Sequence, residues 1–314
     1  RDELAALAGT DRQAIMLLNR RGFSSFVLCR ECGEVLGCPN CQVSLTYHKG
    51  VNRLKCHYCL HQEPLPERCP RCASPYLRQF GVGTEQLEEA LNKEFPALRT
   101  VRLDADTTKR KGAHASILRQ FAQGQAQVLI GTQMVAKGLD FPRVTLVGVL
   151  AADLSLRFPD IRSSERTFQL LTQVAGRSGR GDLPGTVIIQ AYDPHHFAVE
   201  AARSHDYLGF YRREIGFRRA LGYPPFRCLT RILCSGPKKE AEEACRAIAD
   251  HLLRQGAAER DLVGPFPAPL SRIQGRYRWQ VLVKSDAPLE GLNALPDLPG
   301  EVQVTVDLDP LQML

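Results

Sequence analysis

Eight of the eleven cysteines stand in four Cys-x-x-Cys pairs: Cys29/Cys32, Cys38/Cys41, Cys56/Cys59 and Cys69/Cys72. Such a turn aims two thiolates at one point, so two pairs complete a tetrahedral tetrathiolate site and four pairs make two. Gly or Pro follows three of these cysteines directly (Cys32-Gly33, Cys38-Pro39, Cys69-Pro70), as in zinc knuckles, where a tight turn points backbone amides at sulfur. Two other chemistries use the same residues. A disulfide framework needs an oxidising compartment that nothing in the chain signals, and iron–sulfur clusters are also held by four thiolates. The spacing fits zinc best, and two Zn2+ per chain are expected.

The residues between the pairs indicate which pairs share a metal. Fourteen residues separate Cys41 from Cys56. Val43, Leu45 and Tyr47 alternate, Lys49-Gly50 turns the chain, and Val51 to Lys55 returns, which is a hairpin pattern. It carries the second knuckle back onto the third, giving one site from Cys38, Cys41, Cys56 and Cys59. Cys29, Cys32, Cys69 and Cys72 are left for the other. The spacing falls just short of the usual zinc-ribbon range, and a cross-braced pairing of first with third knuckle is the alternative. His48, His57 and His61 read as surface residues, because eight thiolates already fill two sites.

Anion chemistry is concentrated in two other segments. In Ile130-Gly131-Thr132-Gln133-Met134-Val135-Ala136-Lys137-Gly138-Leu139-Asp140, small residues allow a phosphate to approach the backbone, and Thr132, Gln133 and Lys137 offer donors. In Gln173 to Gly181, Arg177 and Arg180 stand three apart among glycines, free to reach an anion. That is the chemistry of an arginine finger on a nucleotide γ-phosphate.

Alternating strands and helices must position these segments. Strands are expected at 24–28, 100–103, 128–130, 144–150 and 186–190, and helices near 84–95, 109–121 and 164–175. Continuous apolar runs such as Val144 to Leu150 suit a parallel sheet covered on both faces, and chemistry on such sheets gathers at the carboxyl ends of strands. Residues 1–28 and 79–200 thus read as one α/β domain, with 29–78 inserted and a further domain at 201–314. That last domain reads as strand 228–235, helix 238–253, a strand near 262, strand 276–284, a short helix near Leu289 and strand 302–308, a β-α-β-β-α-β order that is ferredoxin-like. Arg272, Arg276 and Arg278 interleave there with Tyr277 and Trp279, the only Trp, and suit phosphate contact with base stacking. Alternation permits a second reading, in which Tyr277 and Trp279 face a core.

Composition bounds the function. At 314 residues the chain holds two or three domains, and 44% hydrophobic residues can bury real cores. A net charge of +7 is compatible with a polyanionic partner without requiring one. No apolar run approaches membrane-span length and no signal-like segment appears, so a cytoplasmic chain with reduced thiols and no membrane partner is expected. Residue 1 is Arg rather than Met, as in a piece of a longer polypeptide.

GTQMVAKGLDFPRV resembles motif V of superfamily 2 helicases, and QVAGRSGRG resembles motif VI. With a Cys-rich insertion in the same lobe, the chain resembles the PriA family of primosomal replication-restart helicases, as do NRRGFSS, GVGTEQLEEALNKEFP, FYRREIGFRRALGYPPF and PAPLSRIQGRYRWQ. Ser178 stands where the family usually has Ala. The resemblance covers nearly the whole chain and implies the second motor lobe, the zinc insertion and the C-terminal DNA-binding domain of an ATP-dependent 3′→5′ helicase that remodels branched forks. By that resemblance Arg177 and Arg180 would stabilise γ-phosphate charge with Gln173 beside it. Gly138 and Asp140 would couple nucleotide state to movement, and Thr132 and Gln133 would touch the tracking strand. It further implies ATP, Mg2+ and zinc, and a bacterial, nucleoid-associated location. Its implied partners are branched and single-stranded DNA, single-stranded DNA-binding protein, accessory primosomal proteins, and the replicative helicase with its loader. The chain itself contains no Gly-Lys dipeptide and hence no GxxxxGK[ST] phosphate loop. A zinc-containing scaffold without ATPase activity is therefore the rival class.

Overall fold

The computed structural model describes residues 1–19, 26–32, 34, 36–39, 45–48, 52–55, 61–80, 83–132, 135, 141–157, 160–176, 184–191, 193–287, 289 and 295–313. Helix α1 (Asp2–Ala5) and strand β1 (Gln13–Leu18) lead into β2 (Phe26–Cys29), β3 (Thr46–His48), β4 (Arg53–Lys55), β5 (Gln62–Pro64) and β6 (Leu77–Phe80). Helices and strands then alternate through α2 (Thr84–Glu94), β7 (Thr100–Leu103), α3 (Ala113–Ala122), β8 (Val128–Gly131), β9 (Val144–Leu150), α4 (Ser163–Ala175) and β10 (Thr186–Ile189). The chain continues through α5 (Phe197–Arg203), α6 (Tyr207–Leu221), β11 (Cys228–Gly236), α7 (Lys238–Arg254), β12 (Leu262–Ile273), β13 (Arg276–Ser285) and β14 (Gln303–Leu308).

These elements form two compact units. The first, Arg1–Phe23 with Val82–Phe158 and Ser163–Arg213, is built on a parallel sheet in the order β10-β9-β1-β8-β7. Its central strand is Gln13–Leu18, where no strand was expected, and every residue of it is buried. The strand expected at 24–28 lies elsewhere: Phe26–Cys29 belongs to the Cys-rich sheet. A strand covered on both faces reads as a near-continuous apolar run; Ala14 to Leu18 supply it, and the buried Gln13 Nε2 donates to the Phe121 and Ala126 carbonyls. Ile15 and Leu17 enter one core with Phe121 of α3, Phe168 and Leu171 of α4 and Phe210 of α6. Ala14 and Met16 enter the opposite core with Leu87 and Leu91 of α2. This unit runs past residue 200 to Arg213. The Phe210 ring stacks on Phe168 at 4.2 Å and on Phe197 at 5.7 Å, which ties α5 and the start of α6 to α4.

The second unit, Ser24–Gly81 with Pro159–Arg162 and Glu214–Leu314, contains two antiparallel sheets. The Cys-rich sheet has the order β5-β4-β3-β2-β6. Its expected hairpin is present as β3 and β4, with Tyr47 opposite Leu54, while β5 adds a strand that alternation in so short a segment did not reveal. Leu45 and Leu54 are fully buried in its small core. The other sheet has the order β12-β13-β11-β14. With its strands numbered in chain order this is 2-3-1-4, the arrangement of a ferredoxin-like fold. Helix α7 covers one face, packing Ala244, Cys245, Ile248 and Leu252 against Ile232, Cys234 and Val281. The short helix expected near Leu289 falls largely on 288 and 290–294, outside the described residues.

Candidate metal centre and motor-lobe edge

Four cysteines meet where the stem strands of the Cys-rich module run side by side. β2 and β6 pair antiparallel from Phe26↔Phe80 to Cys29↔Leu77. Cys29 ends β2, Cys32 follows in a turn, and Cys69 and Cys72 occupy the turn before β6. The four Sγ atoms lie within 4.8 Å of one another, with Cys29–Cys72 at 3.5 Å and Cys32–Cys69 at 3.6 Å. A tetrahedral Zn–S bond of about 2.3 Å sets sulfurs roughly 3.8 Å apart, so the cluster has the dimensions of a tetrathiolate cage. The Arg71 amide donates to Cys69 Sγ at 3.4 Å, as a knuckle requires, and Ala73 closes that turn in a left-handed conformation (φ 59°).

The protons on these sulfurs are unevenly held. Amide donation from Cys32 brings the Cys29 thiol down to about 6. Cys72 is pushed up to about 12: the Ser74 amide pulls it down, but the neighbouring sulfurs, Cys32 first, and burial outweigh that. Four thiolates this close repel one another unless a cation sits among them, which is the chemistry of a soft divalent metal site.

Of the second expected set, Cys38 is buried and its carbonyl accepts from Arg272 Nη2 at 3.3 Å. Cys41, Cys56 and Cys59 lie outside the described residues. His61 Nε2 pairs with Glu63 at 2.9 Å, and His57 is outside the described residues.

In the first unit the expected phosphate-facing segment begins at the carboxyl end of β8. Gly131 is required there: a Cβ would meet Val135 Cγ1 at 2.4 Å and the Leu103 carbonyl at 2.7 Å. The Val135 amide then donates to the Thr132 carbonyl, turning the chain at Thr132. Gln173 is exposed near the end of α4. Gln133, Gly138, Asp140, Arg177 and Arg180 lie outside the described residues.

Reading motifs alone missed what holds α4 at this edge. Asn19 directly follows β1 and is buried. Its Nδ2 donates to the Ala152 carbonyl and to Ser155 Oγ, and Ser155 Oγ bonds Thr167 Oγ1 at 2.7 Å. Thr167 in turn donates to the Ser163 carbonyl of α4 at 2.8 Å. A polar residue closing an apolar run was the available signal. Asp104, just past the end of β7, organises a turn. Its carboxylate accepts from the Asp106 and Thr107 amides and from Thr84 Oγ1 at 2.6 Å, and it pairs with Arg102 at 3.0 Å.

The arginines of the C-terminal sheet are partly engaged. Arg276 Nη2 donates to the Ser235 carbonyl at 2.6 Å and the Glu301 carbonyl at 2.8 Å, and Arg278 Nη1 to the Leu270 carbonyl at 3.2 Å. Tyr277 has the Arg272 and Lys238 cations 5.7 Å and 5.9 Å from its ring centre. Trp279 is half-buried against the core under α7.

Comparison with known proteins follows this division. Residues 38–64 match the family model for the PriA DNA helicase Cys-rich region (CRR) domain, residues 78–182 the helicase conserved C-terminal domain, and residues 219–311 the primosomal protein N C-terminal domain. The replication restart protein PriA of Bacillus subtilis (strain 168) is 46% identical over 323 residues, covering 100% of this chain and 40% of that protein. The protein of the same name from Synechocystis sp. (strain ATCC 27184 / PCC 6803 / Kazusa) is 48% identical over 324 residues, covering 99% of this chain. The chain spans 40% and 38% of the length of these two relatives.

Proposed function

Because the chain belongs to the replication restart protein PriA family, we propose that it is the C-terminal part of an ATP-dependent 3′→5′ DNA helicase that remodels stalled or branched forks and starts primosome assembly. What carries this reading is similarity running through the lobe, the Cys-rich region and the C-terminal domain together. Arg177 and Arg180 reach the γ-phosphate charge that develops during transfer, with Gln173 beside them. Gly138 and Asp140 lie at the interface that senses nucleotide, and Thr132 and Gln133 contact strand phosphates. The other half of the ATP site, which holds Mg2+ and the β-phosphate, comes from sequence beyond this chain. The C-terminal domain binds branched and single-stranded DNA through Arg272, Arg276, Tyr277, Arg278 and Trp279.

Two Zn2+ hold the Cys-rich region. Cys29, Cys32, Cys69 and Cys72 would take one, a reading supported by sulfur separations of 3.5 and 3.6 Å, and Cys38, Cys41, Cys56 and Cys59 the other. Bound zinc would supply charge neutralisation and cross-linking, with no open position for chemistry. Protein partners by the same reading are single-stranded DNA-binding protein, accessory primosomal proteins, and the replicative helicase with its loader, at the bacterial nucleoid. Among the described residues no helix is long and apolar enough to cross a membrane.

The absence of a Gly-Lys dipeptide from the chain favours a second reading, a scaffold that hydrolyses nothing. DNA-stimulated ATP hydrolysis by the complete protein separates the two. The helicase reading expects turnover that depends on Arg180, whereas a complete protein without turnover would leave the scaffold.

A further inference from the structure

The β12–β13 hairpin outruns the sheet it belongs to. β11 pairs with β13 as far as Gly236↔Tyr277, the rung that Arg272 also joins, and Ile273↔Arg276 with its turn extends the hairpin past that point. Gln274 (φ 52°) and Gly275 (φ 79°) close it with two left-handed residues, as tight two-residue hairpin loops require.

This overhang meets the Cys-rich module. Ile273 packs against the module's buried cluster, whose members include Cys29, Cys38, Cys69 and Leu45. Arg272 Nη2 donates to the Cys38 carbonyl at 3.3 Å, and its guanidinium lies 5.7 Å from the ring centre of Tyr277, its cross-strand partner on β13. Among the described residues, three of the eight buried members of this cluster are cysteines. A core so small has little apolar surface of its own to bury, so one additional aliphatic side chain is a large fraction of it. Groups that orient ligands from outside typically change metal affinity by about 10- to 100-fold.

We infer that the hairpin tip is a positioning element of the Cys-rich module: Ile273 completes its core and Arg272 fixes the Cys38 backbone, so that retention of metal depends on the C-terminal sheet. The inference rests on the cysteines binding zinc. The test follows zinc release from the zinc-loaded chain to the metallochromic chelator 4-(2-pyridylazo)resorcinol, together with the far-UV spectrum of each variant. Arg272→Ala and Ile273→Ala should each release zinc roughly tenfold faster. Arg246→Ala, which removes only an exposed ion pair to Glu242 on α7, should release at the wild-type rate. Wild-type release from folded Arg272→Ala and Ile273→Ala overturns the inference, as does equal acceleration in Arg246→Ala. If the alanine variants do not fold, Arg272→Lys and Ile273→Val decide the matter by the same criterion, faster release supporting it and unchanged release overturning it. A wild-type chain that binds no zinc removes the underlying metal reading instead, and this is seen before any variant is compared.

Discussion

Cys72 is the exposed corner of the four-sulfur cluster, and its thiol is pushed up to about 12. Its Sγ lies within 4.8 Å of the other three sulfurs, so if the cluster holds zinc, Cys72→Ser should lower the zinc content by one equivalent, as elemental analysis would count; an unchanged zinc content would contradict a ligand role. For the arginines the measurable quantity is turnover. In the complete protein Arg180→Ala should cut DNA-stimulated ATP hydrolysis by roughly a thousandfold, the scale of a lost arginine finger, and near-normal turnover would exclude that role. Trp279 poses a choice that alternation in sequence left open, since its neighbours Arg278 and Gln280 point to the other face. It is half-buried against the core that α7 covers, so Trp279→Ala should cost about 3 kcal/mol of stability in a denaturant titration. If the ring also stacks on bases, fork binding should quench its fluorescence in the wild type; no quenching would leave it a packing residue only.

Helix α4 carries Gln173 and leads into the segment of Arg177 and Arg180, and its seat is the Asn19–Ser155–Thr167 chain. Thr167→Val should cost about 1–2 kcal/mol, because Ser155 loses its buried partner, and urea midpoints would register it. The start of β11 is held by Arg227, which grips Asp261 with two donors and Asp286 with a third. Those bonds to Arg227 hold the Asp261 carboxyl below its usual range. Its contribution to stability is therefore complete above the unfolded carboxylate value of about 3.9 and is lost as pH falls through the lower folded value. Asp261→Asn should flatten the acid limb of a stability–pH curve, and an unchanged limb would contradict the linkage. Which elements were legible follows from local physics. Val144–Leu150 and Lys238–Arg254 announce themselves by a continuous apolar run and by helical spacing. Gln13–Leu18 did not, because its apolar run is built mostly of Ala, Met and Leu, and a short run with so few β-branched residues cannot be told from a buried helix. Phe26–Cys29 read as a strand, but its partner is Leu77–Phe80, and pairing across so long a separation leaves no mark in alternation. The cysteine spacing did bring Cys29, Cys32, Cys69 and Cys72 together on paper, since each pair is local. The contact of Arg272 with Cys38 was invisible, because it joins residues 234 apart.

At the scale of the molecule, the parallel sheet and the C-terminal sheet each carry cores of their own, whereas the Cys-rich cluster takes in Ile273 of β12. The isolated chain should bind branched DNA with an affinity that falls as salt rises, through release of phosphate counterions, yet hydrolyse no ATP. Titrations at several salt concentrations and a phosphate-release assay would check both halves, and robust hydrolysis by the chain alone would overturn the second. Chelation should unfold the module and leave the parallel sheet, whose β1 pairs with β8 and β9, in place. The paired stems β2 and β6 carry a wider consequence. Neighbouring strands lie about 4.8 Å apart, so the excursion from residue 26 to residue 80 departs and returns through adjacent points. Closing a loop costs chain entropy that grows with its length, but here the stem ladder closes the loop. An insertion mounted in this way behaves as a graft. It could enter a host fold in one genetic step, lengthen or shorten over generations, and be excised in the laboratory for a brief Gly-Ser turn, while the host sheet kept its strand order.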